Sequence, residues 1–166
     1  NEVRSVCEDK QGNLWVGLKD GMIRLYDSNR KFMGHLTGNG TISMTGTPME
    51  GTAYFIMQDS KGIIWIATKG NGLVRAEQTS PTGLSYKLTR YQHDSNDMYS
   101  LSDNNVYCVY EDHHGRIWAA TFAGGINYIS QGEHGETVFI NHRNNLKGYP
   151  IDVCYKARFI TSDNNG

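Results

Sequence analysis

The fold is decided by a stretch that reads DHHGRIWAATFAGG from Asp112 to Gly125. Two further copies read DKQGNLWVGLKDG from Asp9 and DSKGIIWIATKGNG from Asp59. In each copy a glycine follows the aspartate by three residues and a tryptophan follows it by six. A fourth copy begins with DNNG at Asp163, so that successive aspartates are 50, 53 and 51 residues apart. A motif that recurs at such a period predicts a propeller or a solenoid built from repeated units.

A segment of strand character precedes each aspartate. The four segments read VRSVCE, AYFIMQ, VYCVYE and ARFITS, and they are rich in β-branched and aromatic residues. Each segment carries apolar residues at both parities, so we expect it to be buried on both faces. The residues at one of these parities are Val6, Ile56, Val109 and Ile160. Three more strand-like segments follow in each complete period, which predicts one four-stranded antiparallel blade per repeat.

The motif residues are expected to build the blades. The aspartate would hydrogen-bond the turn backbone, the glycine would supply a positive φ, and the tryptophan would pack against a neighbouring blade. The motif residues are Asp9, Gly12, Trp15, Asp59, Gly62, Trp65, Asp112, Gly115, Trp118, Asp163 and Gly166. We predict an all-β fold, a partial β-propeller of about three four-stranded antiparallel blades plus the first strand of a fourth. The repeats would cover about 1–51, 52–104 and 105–155, and 156–166 would start the fourth.

Several phrases resemble the two-component regulator propeller repeat. They read GNLWVGLKDGMIRLY, GIIWIATKGNGLVR, GRIWAATFAGGINYI and, from Ser100, SLSDNNVYCVYEDHHG. The first copy departs by having Leu18 where the others have Thr68 and Thr121. The resemblance implies a periplasmic part of a membrane-spanning sensor kinase, often a hybrid kinase of gut Bacteroidetes that detects glycan fragments. It also implies a module without catalytic residues.

The composition narrows the classes of partner. The 16 basic and 17 acidic residues are interspersed, so no basic stripe predicts nucleic-acid binding. No apolar run is long enough to span a membrane, and the first residues, NEVRSVCEDK, lack the features of a signal peptide, so any targeting signal is expected elsewhere. Cys7, Cys108 and Cys154 form no CxxC motif and are interpreted as small buried apolar residues. We expect no cofactor.

Carboxylates and histidines near the turns are weak indications of acid/base catalysis or metal binding. Glu111 and Asp112 are adjacent on a strand, so they point to opposite faces and cannot converge on one substrate bond. His113 and His114 lack the further ligands that a metal site needs. The segment 94–97, DSND, lacks the glycine and the distal glutamate of a calcium loop. We therefore expect neither a catalytic nor a metal site.

A candidate ligand rim lies opposite the DxxG turns. Each residue five positions before a motif aspartate should start an inner strand beside the central channel, and these residues are Arg4, Tyr54, Tyr107 and Arg158. Tyrosine and arginine side chains can stack on sugars and hydrogen-bond their hydroxyl or carboxylate groups. The same rim is expected to include Lys19, Lys69 and Phe122, from the turns between the second and third strands of each blade. It should also include Asn104 and Asn105, from the segment that leads into the third inner strand. A merely solvated rim is the alternative interpretation.

The sequence therefore favours a non-catalytic extracytoplasmic sensing module of a two-component sensor histidine kinase, responding to a carbohydrate. The expected partners are an oligosaccharide ligand and the remaining blades of the same propeller, with no nucleic acid and no membrane contact. Two alternatives stay open. One is a secreted propeller enzyme, a lyase or glycosidase, and the other is a protein-binding propeller scaffold.

Self-association is a further expectation. Closed propellers usually need four to eight blades, and three blades would leave apolar faces and strand edges open. Two copies could supply six blades and close a ring, whereas a contact that does not close would give larger assemblies.

Overall fold

The computed structural model describes residues 2–81, 83–145, 148–149 and 155–163, and this part of the chain contains strands and no helix. The predicted all-β fold is confirmed. The first blade contains β1 (Val3–Glu8), β2 (Leu14–Leu18), β3 (Ile23–Tyr26), β4 (Phe32–Leu36) and β5 (Ile42–Ser43). The second contains β6 (Thr52–Gln58), β7 (Ile64–Lys69), β8 (Leu73–Gln78) and β9 (Tyr86–Tyr91). The third contains β10 (Val106–Glu111), β11 (Ile117–Thr121), β12 (Gly125–Gln131) and β13 (Thr137–Ile140).

Each blade is an antiparallel sheet whose strands pair in chain order. The first blade has a fifth strand that the sequence pattern did not indicate, because β5 adds two residues to the free edge of β4. The inner strands β1, β6 and β10 lie next to one another, so the blades follow one another around a common axis. No helix among the described residues is long and apolar enough to cross a membrane.

The DxxG turn is built in the same way in all three blades. In the first, Asp9 accepts hydrogen bonds from the backbone N–H groups of Gln11 and Asn13, at 3.0 and 2.8 Å. Its second oxygen accepts the indole N–H of Trp15 at 3.0 Å. Gly12 has a φ of +81°, which a residue with a side chain rarely adopts. The same bonds recur at Asp59 and Asp112, where the indole-to-carboxylate distances are 2.9 and 2.8 Å.

A neighbouring blade covers the first two motif tryptophans, as the repeat predicts, whereas Trp118 of the third blade is only half-buried. Trp15 lies in one core cluster with Ile56 and Ile66 of the second blade, and all three are at most 2% exposed. Trp65 lies in the next cluster with Val109 and Ala119 of the third blade. The apolar pair on the first two strands of one blade thus packs on the tryptophan of the blade before it.

The first inner strand departs from the prediction that both its faces are buried. Val6 pairs with Val16 at the position that Ile56 and Ile66 occupy in the second blade. Val6 is 57% exposed, whereas Ile56 is 2% exposed. The expectation is wrong for this strand because no blade among the described residues packs against that face.

The predicted inner strand of a fourth blade is described only as an extended segment. Residues 155–163 carry no strand assignment, since none of the described residues pairs with them in a continuous ladder. Two hydrogen bonds hold the segment to the third blade, from Gly125 N–H to the Tyr155 carbonyl and from Ala157 N–H to the Thr121 carbonyl. Ile160 packs against the cluster that contains Ala157. Asp163 is the last described residue, and Gly166 lies outside the described part.

Candidate ligand-recognition rim

A β-bulge interrupts each of the three inner strands at the predicted rim residue. In the first blade, Val3 pairs with Leu18 and Ser5 pairs with Gly17, so Arg4 has no partner opposite it. The ladders of the second and third blades skip Tyr54 and Tyr107 in the same way. A bulge turns a side chain away from the regular alternation, and bulges are common next to binding sites. Because of the bulge, side chains of the inner strand do not alternate strictly between the two faces of the sheet at this point, as the sequence analysis assumed.

Aromatic and cationic side chains meet at this rim. The rings of Tyr54 and Tyr107 are parallel within 6°, with their centroids 4.9 Å apart. The ring of Phe122 lies 5.9 Å from that of Tyr107. The Arg158 guanidinium carbon lies 6.0 Å from the Tyr107 ring centre, within the range of a cation–π interaction. Predicted residues from the second and third blades and from the segment that follows them therefore form one continuous surface.

Lys156 was not among the predicted rim residues. Its ammonium nitrogen lies 5.1 Å from the centre of the Phe122 ring. The sequence could have indicated Lys156, because it lies two residues before Arg158 in the segment that leads to the fourth motif.

Arg4 and Lys19 form a separate, charged part of the rim in the first blade. Both side chains contact the Glu2 carboxylate, at 2.9 and 3.0 Å. Lys69 is exposed at the end of β7, and Thr52, its ladder partner, donates its hydroxyl to the Lys19 carbonyl at 2.8 Å. The structure thus brings Lys19 and Lys69 near the junction of the first two blades, apart from the aromatic surface.

Asn104 and Asn105 hold the lead-in to the third blade. The Asn104 carbonyl accepts the N–H of Gly72 at 2.9 Å, and its side-chain oxygen accepts the N–H of His93 at 2.7 Å. Asn105 donates its amide to Asp103 at 3.2 Å, and its carbonyl accepts the N–H of Phe122. These local bonds occupy both side chains, so their contribution to the rim is to position Phe122 and the second turn.

The turn carboxylates at the opposite end have structural partners. Burial alone would raise the pKa of Asp112, but hydrogen bonds from the Trp118 indole, from the Arg116 backbone and side chain, and from the His114 N–H lower it to about 2. Glu111 accepts the N–H and the hydroxyl of Ser60 in the second blade. In the first junction, Gln58 accepts the N–H of Lys10 at 2.7 Å. Gln58 and Glu111, the residues just before the second and third motif aspartates, therefore accept hydrogen bonds from the preceding blade.

The remaining candidates give no separate site. The rings of His113 and His114 contact each other at a tilt of 45°, and no three histidine, cysteine, aspartate or glutamate side chains converge as metal ligands in the described part of the chain. In the segment 94–97, Asp94 and Asp97 accept backbone N–H groups two residues ahead, as in ordinary polar turns. Cys108 is buried and Cys7 half-buried, and burial raises the pKa of both thiols. Cys154 lies outside the described residues.

Comparisons with known proteins point to one family. A family model for the two-component regulator propeller matches residues 1–20 and 100–123. Histidine kinase P4 of Formosa agariphila is 31% identical over 111 residues, which are 67% of this chain and 8% of that protein. The chain therefore spans a small part of the curated relative it matches.

Two solved structures share the fold. They are extracellular domains of hybrid two-component systems of B. thetaiotaomicron, each 24% identical to this chain, with TM-scores of 0.63 and 0.57. The first match covers 99% of this chain and 19% of that domain, and the second covers 84% and 18%. At this identity the likeness establishes the fold. Taken with the repeated motif and the stacked blades, the matches identify the chain as a member of the two-component regulator propeller repeat family.

Proposed function

We propose that the chain is a non-catalytic sensing module, part of the extracytoplasmic propeller of a hybrid two-component sensor, and that its rim recognises a carbohydrate. The observation that carries the proposal is the bulge that presents Arg4, Tyr54 and Tyr107 at the same position of three successive inner strands. The turn end of each blade is built from the same residues, whereas the bulge carries arginine in the first blade and tyrosine in the second and third. Such variation at a fixed position is what a recognition surface requires.

The chemistry of the rim suits a sugar. The stacked rings of Tyr54 and Tyr107 and the exposed ring of Phe122 offer apolar faces for the C–H face of a pyranose. Arg158 places hydrogen-bond donors beside the Tyr107 ring. The match to a histidine kinase supports the sensing role, and the extracellular location of the two structural neighbours supports a periplasmic one.

Among the described residues, the turn carboxylates give no arrangement that favours the enzyme alternative. Asp9, Asp59 and Asp112 each accept the indole N–H of their own tryptophan, so their oxygens are used within the turn. Glu111 is bound to Ser60. A glycosidase needs two carboxylates that converge on one substrate bond, and these carboxylates serve separate turns.

Binding of neutral disaccharides tests the proposal. We would titrate the chain with cellobiose, maltose and xylobiose by calorimetry, and repeat the titrations with Tyr107→Ala. The matched control is Tyr110→Ala, because Tyr110 lies on the same strand beyond the bulge and pairs with Trp118 at the turn end. We expect one disaccharide to bind, with an affinity at least tenfold weaker in Tyr107→Ala and unchanged in Tyr110→Ala. Equal affinities in Tyr107→Ala, Tyr54→Ala and the unmodified chain would contradict the rim as the site.

A further inference from the structure

The two junctions between blades differ at the turn end, opposite the rim. Between the first and second blades, the ring of Tyr86 packs edge-on against Trp15, with their centroids 5.1 Å apart. The ladder places Tyr86 opposite Gln78, the last residue of β8. In the third blade, Thr137 lies opposite Gln131, the last residue of β12. Threonine therefore stands in the third blade where the second blade has the tyrosine that covers a tryptophan.

This difference leaves an open cleft between the second and third blades. Its volume is about 590 Å³, against about 330 Å³ for the cleft at the first junction, and it lies within the range of pockets that hold small ligands. The second-blade wall includes Trp65, Lys61 and Arg75, and the third-blade wall includes Arg116 and Thr137. Trp15, by contrast, does not line the cleft at its own junction.

The acidic groups of the cleft are already engaged. Asp59 is 3% exposed and accepts the N–H groups of Lys61 and Ile63 and the indole N–H of Trp65. Glu111 accepts two hydrogen bonds from Ser60. These carboxylates have no need of a ligand donor, and a cationic ligand would have to displace bonds that hold the two blades together.

Donors on the cleft wall remain unused. Within the described part of the chain, the Lys61 ammonium has no hydrogen-bond or ion-pair partner, and its side chain is exposed. Arg116 uses its Nε on Asp112 at 2.6 Å, and its guanidinium carbon lies 5.5 Å from the centre of the Trp118 ring, while its two terminal amino groups make no hydrogen bond among the described residues. Arg75 is paired with Glu77 through both terminal nitrogens, at 2.8 and 2.6 Å. Lys61 and Arg116 therefore bring positive charge to the cleft beside the neutral side chains of Ser130 and Gln131, and a guanidinium whose two amino groups make no hydrogen bond matches a carboxylate.

We propose that the cleft between the second and third blades, opened by Thr137, is a second ligand site that binds a small ring-shaped carboxylate, held by Lys61 and Arg116. The site is separate from the proposed rim and lies on the opposite face of the propeller. Its ligand is anionic at neutral pH, because carboxylic acids ionise near pH 4. The ring occupies the space that the Tyr86 side chain fills at the first junction.

The internal repeat supplies the decisive variant. Thr137→Tyr reproduces the residue of the second blade and is expected to fill the cleft, although it removes the hydrogen bond of 3.1 Å between the Thr137 and Tyr91 hydroxyls. We would titrate D-glucuronate, with D-glucose as the uncharged control, into the unmodified 166-residue chain by calorimetry and by ligand-observed nuclear magnetic resonance. Glucuronate is expected to bind with a dissociation constant on the order of 1 mM and glucose to bind at least tenfold more weakly.

Three variants then separate the cleft from other sites. Thr137→Tyr should weaken glucuronate binding at least tenfold, and Lys61→Gln should weaken it about threefold to tenfold by removing one charge. Lys87→Gln, which removes an exposed lysine on β9 outside the cleft, should leave it unchanged, and so should the rim variant Tyr107→Ala. If Thr137→Tyr fails to fold, Lys61→Gln against Lys87→Gln decides. The proposal is overturned if glucuronate does not bind, if glucose binds equally well, or if Tyr107→Ala alone abolishes the binding.

Discussion

The two ends of the inner strands are constructed differently. At the turn end, all three blades repeat the same bond between the motif carboxylate and an indole, at 3.0, 2.9 and 2.8 Å. At the rim end, all three repeat the same bulge, but its residue is Arg4, Tyr54 or Tyr107. The comparison teaches that the turn end fixes the geometry of the blade, and that the bulge offers a fixed position whose side chain can change at little cost to the fold.

The largest expected effect follows from truncating the turn-end tryptophan that lies between two blades. Trp65 is 3% exposed and packs in one cluster with Val109 and Ala119. Trp65→Ala should lower the free energy of unfolding by about 3 to 5 kcal/mol, since it removes a buried aromatic side chain and leaves a cavity. Urea unfolding followed by tryptophan fluorescence and circular dichroism would measure the change.

The third tryptophan is the matched control. Trp118 makes the same bond to its aspartate but is only half-buried, so Trp118→Ala should cost less than Trp65→Ala. Equal losses in the two variants would show that the indole bond within the blade, rather than the packing between blades, governs stability at the turn end.

The second prediction concerns pH and the turn carboxylate of the third blade. The pKa of Asp112 is about 2 in the folded chain, against an ordinary value of 3.8. Because the folded pKa is the lower one, the carboxylate stabilises the fold fully above about pH 5, and this stabilisation is lost as the pH falls through 4 towards 2. The loss should be about 1 kcal/mol at pH 3 and about 2 kcal/mol once the pH is below 2. Urea unfolding at pH 7, 4 and 3 would follow it.

Asp112→Asn provides the comparison for this pH dependence. The amide keeps one acceptor oxygen but does not titrate, so the variant should be less stable at pH 7 and should lose less stability on acidification than the unmodified chain. If both proteins lose stability in parallel between pH 5 and 3, the acid sensitivity arises from other carboxylates.

Sequence reasoning reached the turn end more fully than the rim. The aspartate, glycine and tryptophan recur at fixed spacing because each contacts the others within one turn, so their roles could be predicted from a single blade. The bulge at Tyr107 could not be predicted, because it depends on how two strands pair. The pattern of apolar residues along one strand does not show which residue lacks a partner on the other. The cleft at Thr137 was also missed, because it arises only when that residue is compared with Tyr86 in the assembled blades.

The third prediction concerns the effect on stability of a substitution at the rim end of the inner strand. Tyr107 is half-buried and stacks on Tyr54, so Tyr107→Ala should lower the free energy of unfolding by about 1 kcal/mol, the contribution of one aromatic pair at a partly exposed position. The loss is expected to be at least threefold smaller than that of Trp65→Ala under the same conditions. A loss as large as that of Trp65→Ala would show that the bulge residues hold the blades together and would remove the distinction between the two ends.

The middle of the inner strand gives a third region to compare. Ile56 and Ile66 cover the tryptophan of the preceding blade, and the pair is almost fully buried. Val6 and Val16 form the same pair in the first blade, yet Val6 is 57% exposed. This face is shaped to cover a tryptophan, and Trp118 is the least buried tryptophan of the three blades. We propose that two copies of the chain associate through these surfaces.

The smallest effect on stability is therefore expected at Val6. Val6→Asp should change the free energy of unfolding by no more than about 0.5 kcal/mol, because the side chain is largely in solvent in the single chain. The same substitution should shift the chain towards the monomer of 18.6 kDa, because a charge placed against an indole face loses its hydration. Size-exclusion chromatography with light scattering from 1 to about 100 μM would measure this, with Leu84→Asp, at a 41% exposed residue of the second blade, as the control. A clean monomer for the unmodified chain over this whole range would refute the association. The difference in exposure between Val6 and Ile56 would then not be due to a contact between copies.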